Sequence, residues 1–279
     1  RNTTLLSEVK EISTIFQKEG IKHSFLKGSA LLAAGYYKDK GERMIGDIDV
    51  LVDTNQLEQA RLLLLNGGYK SITVAFGEKY FDNKHLPRLI PKTKLAAVEI
   101  HRKLLHKDLI NQLKPQDYLK ESKNINGVFV GSQTYLYWHC ILNFQINDYG
   151  YYFNSLGLRN AYDALILQKK INNSDLLQFY TKKYVKSFLY KVDVYFTLKK
   201  TYSKSFCDNL KILFFKKKQK SVFLRTYWFI ILNTIKEFDL IINRLVVFIF
   251  NPSYRKESLK DSKRLFREIR NRLNPFKSQ

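Results

Sequence analysis

Proline and glycine are scarce in this chain of 279 residues, at 5 and 12 respectively. That scarcity excludes long flexible linkers and low-complexity segments, and it predicts a chain folded over almost its whole length. Cysteine is scarcer still. Cys140 and Cys207 stand far apart with no Cys-x-x-Cys or Cys/His spacing, which removes a disulfide framework and a zinc site and fits a reducing cytoplasm. No apolar run reaches the roughly 18 to 20 residues of a spanning helix. The most apolar stretch, Val222 to Phe250, is interrupted by Arg225, Lys236, Glu237, Asp239 and Arg244, and it reads as a buried helix pair with a break, membrane-surface contact being the lesser reading. Residues 1 to 20 mix Glu8, Lys10, Glu11 and Lys18 into an amphipathic pattern unlike a signal peptide.

Acidic residues are also short, and unevenly so. The formal net charge is +23. Up to Asp108 there are 18 Lys/Arg against 13 Asp/Glu, and beyond it 30 against 12. Such a field attracts polyanions, namely nucleic acid, nucleotides or anionic lipid, over about 8 Å at physiological salt. The plain alternative is a lysine-rich sequence that is basic for no functional reason.

What is present is ordered. Leu5, Val9, Ile12 and Phe16 recur at helical spacing, and Gly20 stops that helix. Ile21 to Leu26 reads as a strand that leads into Lys27-Gly28-Ser29 and then a helix opening at Ala30. A second strand over Gly46 to Val52 sends Asp47 and Asp49 to one face. Thr54 is the expected N-cap of a helix to Leu65, closed by Asn66-Gly67-Gly68. Two or three strands are expected between Tyr69 and Arg102, the last of which puts Glu99 and His101 on one face. From about Ser132 the texture is helical, with helices expected over 132 to 146, 155 to 170, 174 to 199, 203 to 215, 221 to 250 and 257 to 273. The predicted fold class is α+β: a small mixed-sheet domain with flanking helices over residues 1–125, then a basic all-helical domain over 126–279.

Two carboxylates two residues apart on one strand face repel unless a cation sits between them, and Mg²⁺ is the natural one because it takes oxygen ligands while keeping water and phosphate in its shell. Two such ions about 4 Å apart serve phosphoryl transfer, one activating the attacking oxygen and the other stabilising leaving pyrophosphate. Asp47 and Asp49 would bridge them, and Glu99 on a neighbouring strand would add the third carboxylate. A glycine turn at a helix N-terminus lets backbone N–H groups approach phosphate, so Gly28 and Ser29, with Lys27 or Arg43 balancing charge, make a candidate nucleotide site.

The run Phe25-Leu26-Lys27-Gly28-Ser29-Ala30-Leu31, then Arg43, Gly46-Asp47-Ile48-Asp49-Val50-Leu51-Val52 and Val98-Glu99-Ile100-His101, resembles the bacterial uncharacterised nucleotidyltransferase family of the polymerase-beta-like superfamily. Related elements occur in nucleotidyltransferase toxins of abortive-infection systems. The resemblance covers roughly residues 1 to 170 and extends more loosely to His139 and to Leu158-Arg159-Asn160-Ala161-Tyr162-Asp163. It implies a mixed-sheet catalytic domain, Mg²⁺ dependence, and transfer of a nucleoside monophosphate from an NTP such as ATP to RNA, protein or a small molecule, with pyrophosphate released. His101, Arg159 and Asp163 become acceptor-side candidates. The alternative is an inactive protein of the same fold that binds RNA or an anionic membrane surface.

Simpler readings stand beside these. Arg159 and Asp163 are an i,i+4 pair that would bond on its own helix, and His139 beside Trp138 reads as a hydrogen-bonded core histidine. Aromatics interleaved with lysines, Phe179 to Tyr184 and Phe214 to Lys218, suit base stacking but are more often core. The last helix, with Leu259, Leu265, Phe266, Ile269 and Leu273 on a stripe among Lys260, Lys263, Arg264, Arg267, Arg270 and Arg272, is basic and amphipathic.

Overall fold

The computed structural model describes residues 1–72, 76–106, 113–169, 171, 182–196 and 204–272. The chain divides into two compact units, the first built from Arg1–Thr73, Lys84–Tyr151 and Leu156–Tyr202, the second from Val74–Asn83, Tyr152–Ser155 and Ser203–Gln279.

The first unit holds α1 (Asn2–Lys18), β1 (His23–Phe25), α2 (Lys27–Ala33), β2 (Ile48–Val52), α3 (Leu57–Asn66), β3 (Tyr69–Ser71), β4 (Leu89–Pro91), β5 (Val98–His101), α4 (Pro115–Lys120), β6 (Lys123–Ile125), β7 (Val128–Val130), α5 (Gln133–Leu142), α6 (Leu158–Gln168) and α7 (Lys183–Tyr195). Its seven strands form one mixed sheet in the order β3-β4-β5-β2-β1-β7-β6. β2 runs antiparallel to β1 and parallel to β5, and β1 is parallel to β7. The α+β expectation therefore holds.

α1 forms because its apolar residues keep one face: Leu5, Val9, Ile12 and Phe16 are fully buried, each such side chain contributing about 1.5 to 3 kcal/mol. Glu8 lies on that face as well, and its carboxylate accepts from the backbone N–H groups of Leu95 at 2.6 Å and Ala96 at 3.1 Å. A carboxylate inside the fold thus pins the residues that lead into β5. Gly20, at φ +66°, takes the left-handed conformation that ends α1.

Several local readings are corrected. The cap before α3 is Asp53, whose side chain accepts from Asn55 N–H at 3.1 Å to open a 3₁₀ turn over Thr54–Gln56; Thr54 is inside that turn. The hairpin β6–β7 was not anticipated and crosses residue 125. Its turn is Asn126-Gly127 with φ +53° and +85°, the dipeptide that suits a tight two-residue hairpin. α5 passes into a π-helical turn over Asn143–Asn147.

The second unit holds α8 (Phe206–Lys220), α9 (Val222–Phe250), α10 (Pro252–Lys260) and α11 (Ser262–Arg272). α9 is one continuous helix of 29 residues, without the expected break, because no glycine or proline interrupts it before Asn251-Pro252. Nor is it a buried pair: Asn233 and Glu237 are its buried residues. The expected basic C-terminal helix is two helices parted at Asp261, and Leu273 lies outside the described residues. Tyr254 of α10 is buried among Phe76, Tyr80 and Phe81. Lys218 is buried and donates to the carbonyls of Phe153 and Asn154 at 2.6 and 2.8 Å, and Phe215 is fully buried, so these two residues of the aromatic–lysine run are core while Lys216 and Lys217 are exposed. Phe179 to Thr181 lie outside the described residues. Among the described residues no helix is long and apolar enough to cross a membrane.

Candidate active site

The parallel pairing of β2 with β5 sets Asp49 opposite Glu99 and Leu51 opposite His101. Period-two alternation then brings Asp49, Glu99 and His101 to one face. One donor atom from each lies within 4.8 Å of the others. His101 Nε2–H donates to Asp49 Oδ1 at 2.9 Å and lies 3.6 Å from Glu99 Oε2. Its other ring nitrogen is buried without a hydrogen-bond partner among the described residues.

Cations meet each aspartate. Lys27 Nζ donates to Asp49 Oδ1 at 2.6 Å, and Arg88 is paired with Asp47, which lies one residue ahead of β2. Lys27 itself has φ +51° at the start of α2, a left-handed conformation that costs a residue with a Cβ roughly 1–2 kcal/mol. Such strain is concentrated at functional positions.

The charges are strongly interdependent. Burial raises the Asp47 carboxyl above its usual range, nearby Glu99 and Asp49 adding to this while Arg88 opposes it. Burial acts the same way on Asp49, but the His101 hydrogen bond and the Lys27 ammonium outweigh it and hold that carboxyl well below its ordinary value. Glu99 is lowered chiefly by His101. Lys27 is raised: burial opposes the shift, and Asp49 overcomes it. Burial lowers Lys84, with Lys27 adding to the effect.

Gly28 and Ser29 lie in the first turn of α2, whose N-cap is Leu26. A Cβ at Gly28 would stand 3.4 Å from Arg43 Cζ, so the guanidinium lies along the glycine. The Ser29 hydroxyl is fully buried and donates to Leu26 O at 2.8 Å, so it is turned away from any phosphate at the helix end. Arg43 Nε donates to Asp163 at 3.1 Å, and Tyr37 O–H donates to the same carboxylate at 2.5 Å. Asp163 thus bonds across to Arg43 and Tyr37, where the sequence suggested a pair with Arg159.

A cavity of about 160 Å³ opens here, lined among others by Lys27, Arg43, His139, Asp148, Arg159 and Asp163. Burial, with the Lys27 ammonium and the His101 ring nearby, depresses His139 to about 3, so this ring is neutral and buried. Burial raises the Asp148 carboxyl.

Asp47, Asp49, Glu99, His101, Lys27, Gly28 and Arg43 are thus brought together, and Arg159 and Asp163 reach the cavity. Lys84, His85, Arg88, Tyr37 and Asp148 escaped the sequence reading. Lys84, His85 and Arg88 come from one segment, Lys84-His85-Leu86-Pro87-Arg88, which runs beside β5 through Leu86 N–H to Ile100 O at 2.8 Å and a bridge between His85 and His101. Three basic residues in five were the available signal.

A mixed sheet thus gathers carboxylates from two parallel strands beside the start of α2. The chain belongs to the uncharacterised nucleotidyltransferase family, whose model matches residues 1–192. Among solved structures it is similar to an antigenic nucleotidyltransferase-like protein from Paracoccidioides brasiliensis, at 15% identity and a TM-score of 0.39, over 67% of this chain and 94% of that one. No curated protein matches the chain.

Proposed function

We propose that this protein is a divalent-cation-dependent nucleotidyltransferase that moves a nucleoside monophosphate from an NTP to an acceptor hydroxyl. The observation that carries the reading is the convergence of Asp49, Glu99 and His101 within 4.8 Å, with Asp47 one residue ahead of the same strand. The donor set fits a divalent cation in its chemistry, since Asp47, Asp49 and Glu99 offer carboxylate oxygens of the kind Mg²⁺ takes, while Lys27 and Arg88, which pair with Asp49 and Asp47, would yield those oxygens to the ion and turn to phosphate. Asp47, Asp49 and Glu99 would hold Mg²⁺, two ions in the fullest form, with His101 fixing the carboxylates. When bound, the metal supplies activation of the acceptor hydroxyl and neutralisation of charge on the departing pyrophosphate.

The chain's own residues do the rest. The backbone of Gly28 and Ser29 at the start of α2, with Lys27 and Arg43, would bind phosphate oxygens. Asp163 would keep Arg43 aimed at the glycine, and Arg159 would supply charge from the other wall. The cavity is smaller than the roughly 300 Å³ at which small-molecule pockets begin, so it would take the phosphate portion and leave the base outside. In the reaction the acceptor oxygen bonds to the α-phosphorus, the bond from that phosphorus to the bridging oxygen breaks, pyrophosphate leaves, and Glu99 would take the hydroxyl proton. RNA is the favoured acceptor on charge, since the region beyond Asp108 carries most of the +23.

The test is transfer of label from each α-labelled NTP, with Mg²⁺, to total RNA and to cell extract, with release of pyrophosphate. Asp47→Asn and Asp49→Asn should each reduce transfer by more than the roughly 10- to 100-fold typical of losing a group that only orients a metal ligand. A wild type as inactive as both variants with every NTP would sink the enzyme reading in favour of an inert binding protein. If RNA is the acceptor, its affinity should fall with salt at a log–log slope of about −0.7 per phosphate contact.

A further inference from the structure

α9 is about 43 Å long at 1.5 Å per residue, and it is apolar on both sides, since the side turned to the protein carries Phe229, Leu240, Ile241, Val247 and Phe248, half-buried, and a second apolar stripe faces away, where an ordinary surface helix has one. Asn233 and Glu237, one turn apart, are its buried residues. On the opposite side Ile235, Phe238, Ile242, Leu245 and Ile249 are between 48 and 60% exposed. Their separations alternate three and four, the 3.5-residue repeat by which one helix seats its side chains between those of another. Val246 and Phe250 widen the stripe and are exposed as well.

The border of the stripe selects its occupant. Helices that lie on lipid carry Lys and Arg along the polar side of the apolar face. Here the exposed polar residues from 234 to 249 are Thr234, Asp239 and Asn243, while the two cations of that span, Lys236 and Arg244, are half-buried on the side turned to the protein, so no exposed cation borders the stripe in a chain of net charge +23. Anionic lipid and nucleic acid are therefore poor partners for this face. An identical helix is a good one, because a two-fold axis matches the repeat to itself. Isoleucine at 235, 242 and 249 alternating with Phe238 and Leu245 is close to the pattern that favours two strands. The area is also sufficient. Seven side chains at 46 to 78% exposure offer on the order of 800 Å², taking roughly 200 Å² for a whole large side chain, and a stable complex buries about 800 Å² per partner.

We propose that the chain forms a two-fold dimer in which the Ile235–Ile249 stripe of α9 packs against its counterpart in a second copy. The stripe lies outside the residues 1–192 that the family model matches, so dimerisation belongs to the part of the chain beyond it.

Sedimentation equilibrium of the full chain from about 1 to 100 μM, a range that brackets micromolar affinities, tests this. Twice 33.0 kDa is expected at high concentration, equally in low and high salt. The Ile242→Asp/Leu245→Asp variant, changed at exposed positions and checked for native helicity by circular dichroism, should weaken dimerisation at least about 100-fold. With Cys207 replaced by serine, Ile242→Cys should form an intermolecular disulfide and Asn243→Cys should not. A mass of 33.0 kDa at every concentration, a dimer indifferent to the two aspartates, or equal cross-linking of both cysteines overturns the proposal. A monomer that binds phosphatidylserine vesicles through Ile242 and Leu245 also overturns it and reassigns the stripe to a lipid surface.

Discussion

Asp163→Asn changes almost no volume and removes one charge from a position where both oxygens are in use. The carboxylate is 4% exposed and faces an Arg43 side chain 11% exposed. It accepts from Arg43 Nε with both oxygens, at 3.2 and 3.1 Å, and from Tyr37 O–H at 2.5 Å. Breaking a buried ion pair from one side costs about 3 to 5 kcal/mol, because the partner charge stays behind unpaired. Asparagine keeps one acceptor oxygen, and Arg43 retains its bond to Met44 O at 2.6 Å, so the lower end of that range, about 3 kcal/mol, is expected. For a unit of this size that corresponds to a fall in Tm of about 6 to 12 °C, read by scanning calorimetry. Arg43→Met should cost a similar amount. The double variant should be far less unstable than the sum of the two, since both charges leave together, with a coupling of about 2 kcal/mol or more. A single-variant shift below about 2 °C, or strict additivity in the cycle, would refute the claim that this pair is held as a unit.

Other consequences can be checked separately. His139 is depressed to about 3, so below its ordinary value near 6.5 the unfolded chain binds a proton that the folded one does not. Stability should therefore fall as pH drops from about 6.5 towards 3, by up to about 1.4 kcal/mol per pH unit, and His139→Gln should flatten that dependence in urea titrations. Gly28→Ala should leave stability within about 1 kcal/mol, since alanine favours a helix and its Cβ meets Arg43 only at 3.4 Å, yet it should weaken NTP binding by covering the backbone at the start of α2; an unchanged Kd for NTP removes that turn from the site. Gly131→Ala would drive a Cβ to 2.4 Å from the Tyr118 ring, an overpacking expected to cost about 1 to 3 kcal/mol, visible as a lower urea midpoint at constant slope.

Much of the site could be read from the sequence because its parts obey local periodicity. Asp49 meets Glu99 and His101 on one face by alternation, with Asp47 one residue ahead of β2, and Gly28 marks a helix start within three residues of β1. What could not be read is which distant charge meets which. Arg43 was legible as a cation, but its bond to Asp163 spans 120 residues, and spacing along one helix pointed to Arg159 instead. Arg88 and Lys84 reach the carboxylates only because their segment runs alongside β5, a fact of sheet pairing. The β6–β7 hairpin is a different case: Asn126-Gly127 ahead of the apolar Val128-Phe129-Val130 is a local signal, but a faint one, because β6 reads Lys123-Asn124-Ile125 and three-residue strands are too short for alternation to register. The expected break in α9 placed too much weight on scattered charges, which a helix with one protein-facing side accommodates without bending.

The packing of Tyr254 against Phe76, Tyr80 and Phe81 has a consequence for how the protein is made. The two halves of this aromatic cluster are separated by about 170 residues of chain, and at a synthesis rate of roughly 5 to 20 residues per second the first half leaves the ribosome some 9 to 35 s before its partner exists. Through that interval Phe76, Tyr80 and Phe81 lack the ring of Tyr254, while β4 and β5 on one side of the segment are already free to pair. Ribosome pauses between residues 83 and 254 would therefore lengthen the exposure of this segment to aggregation.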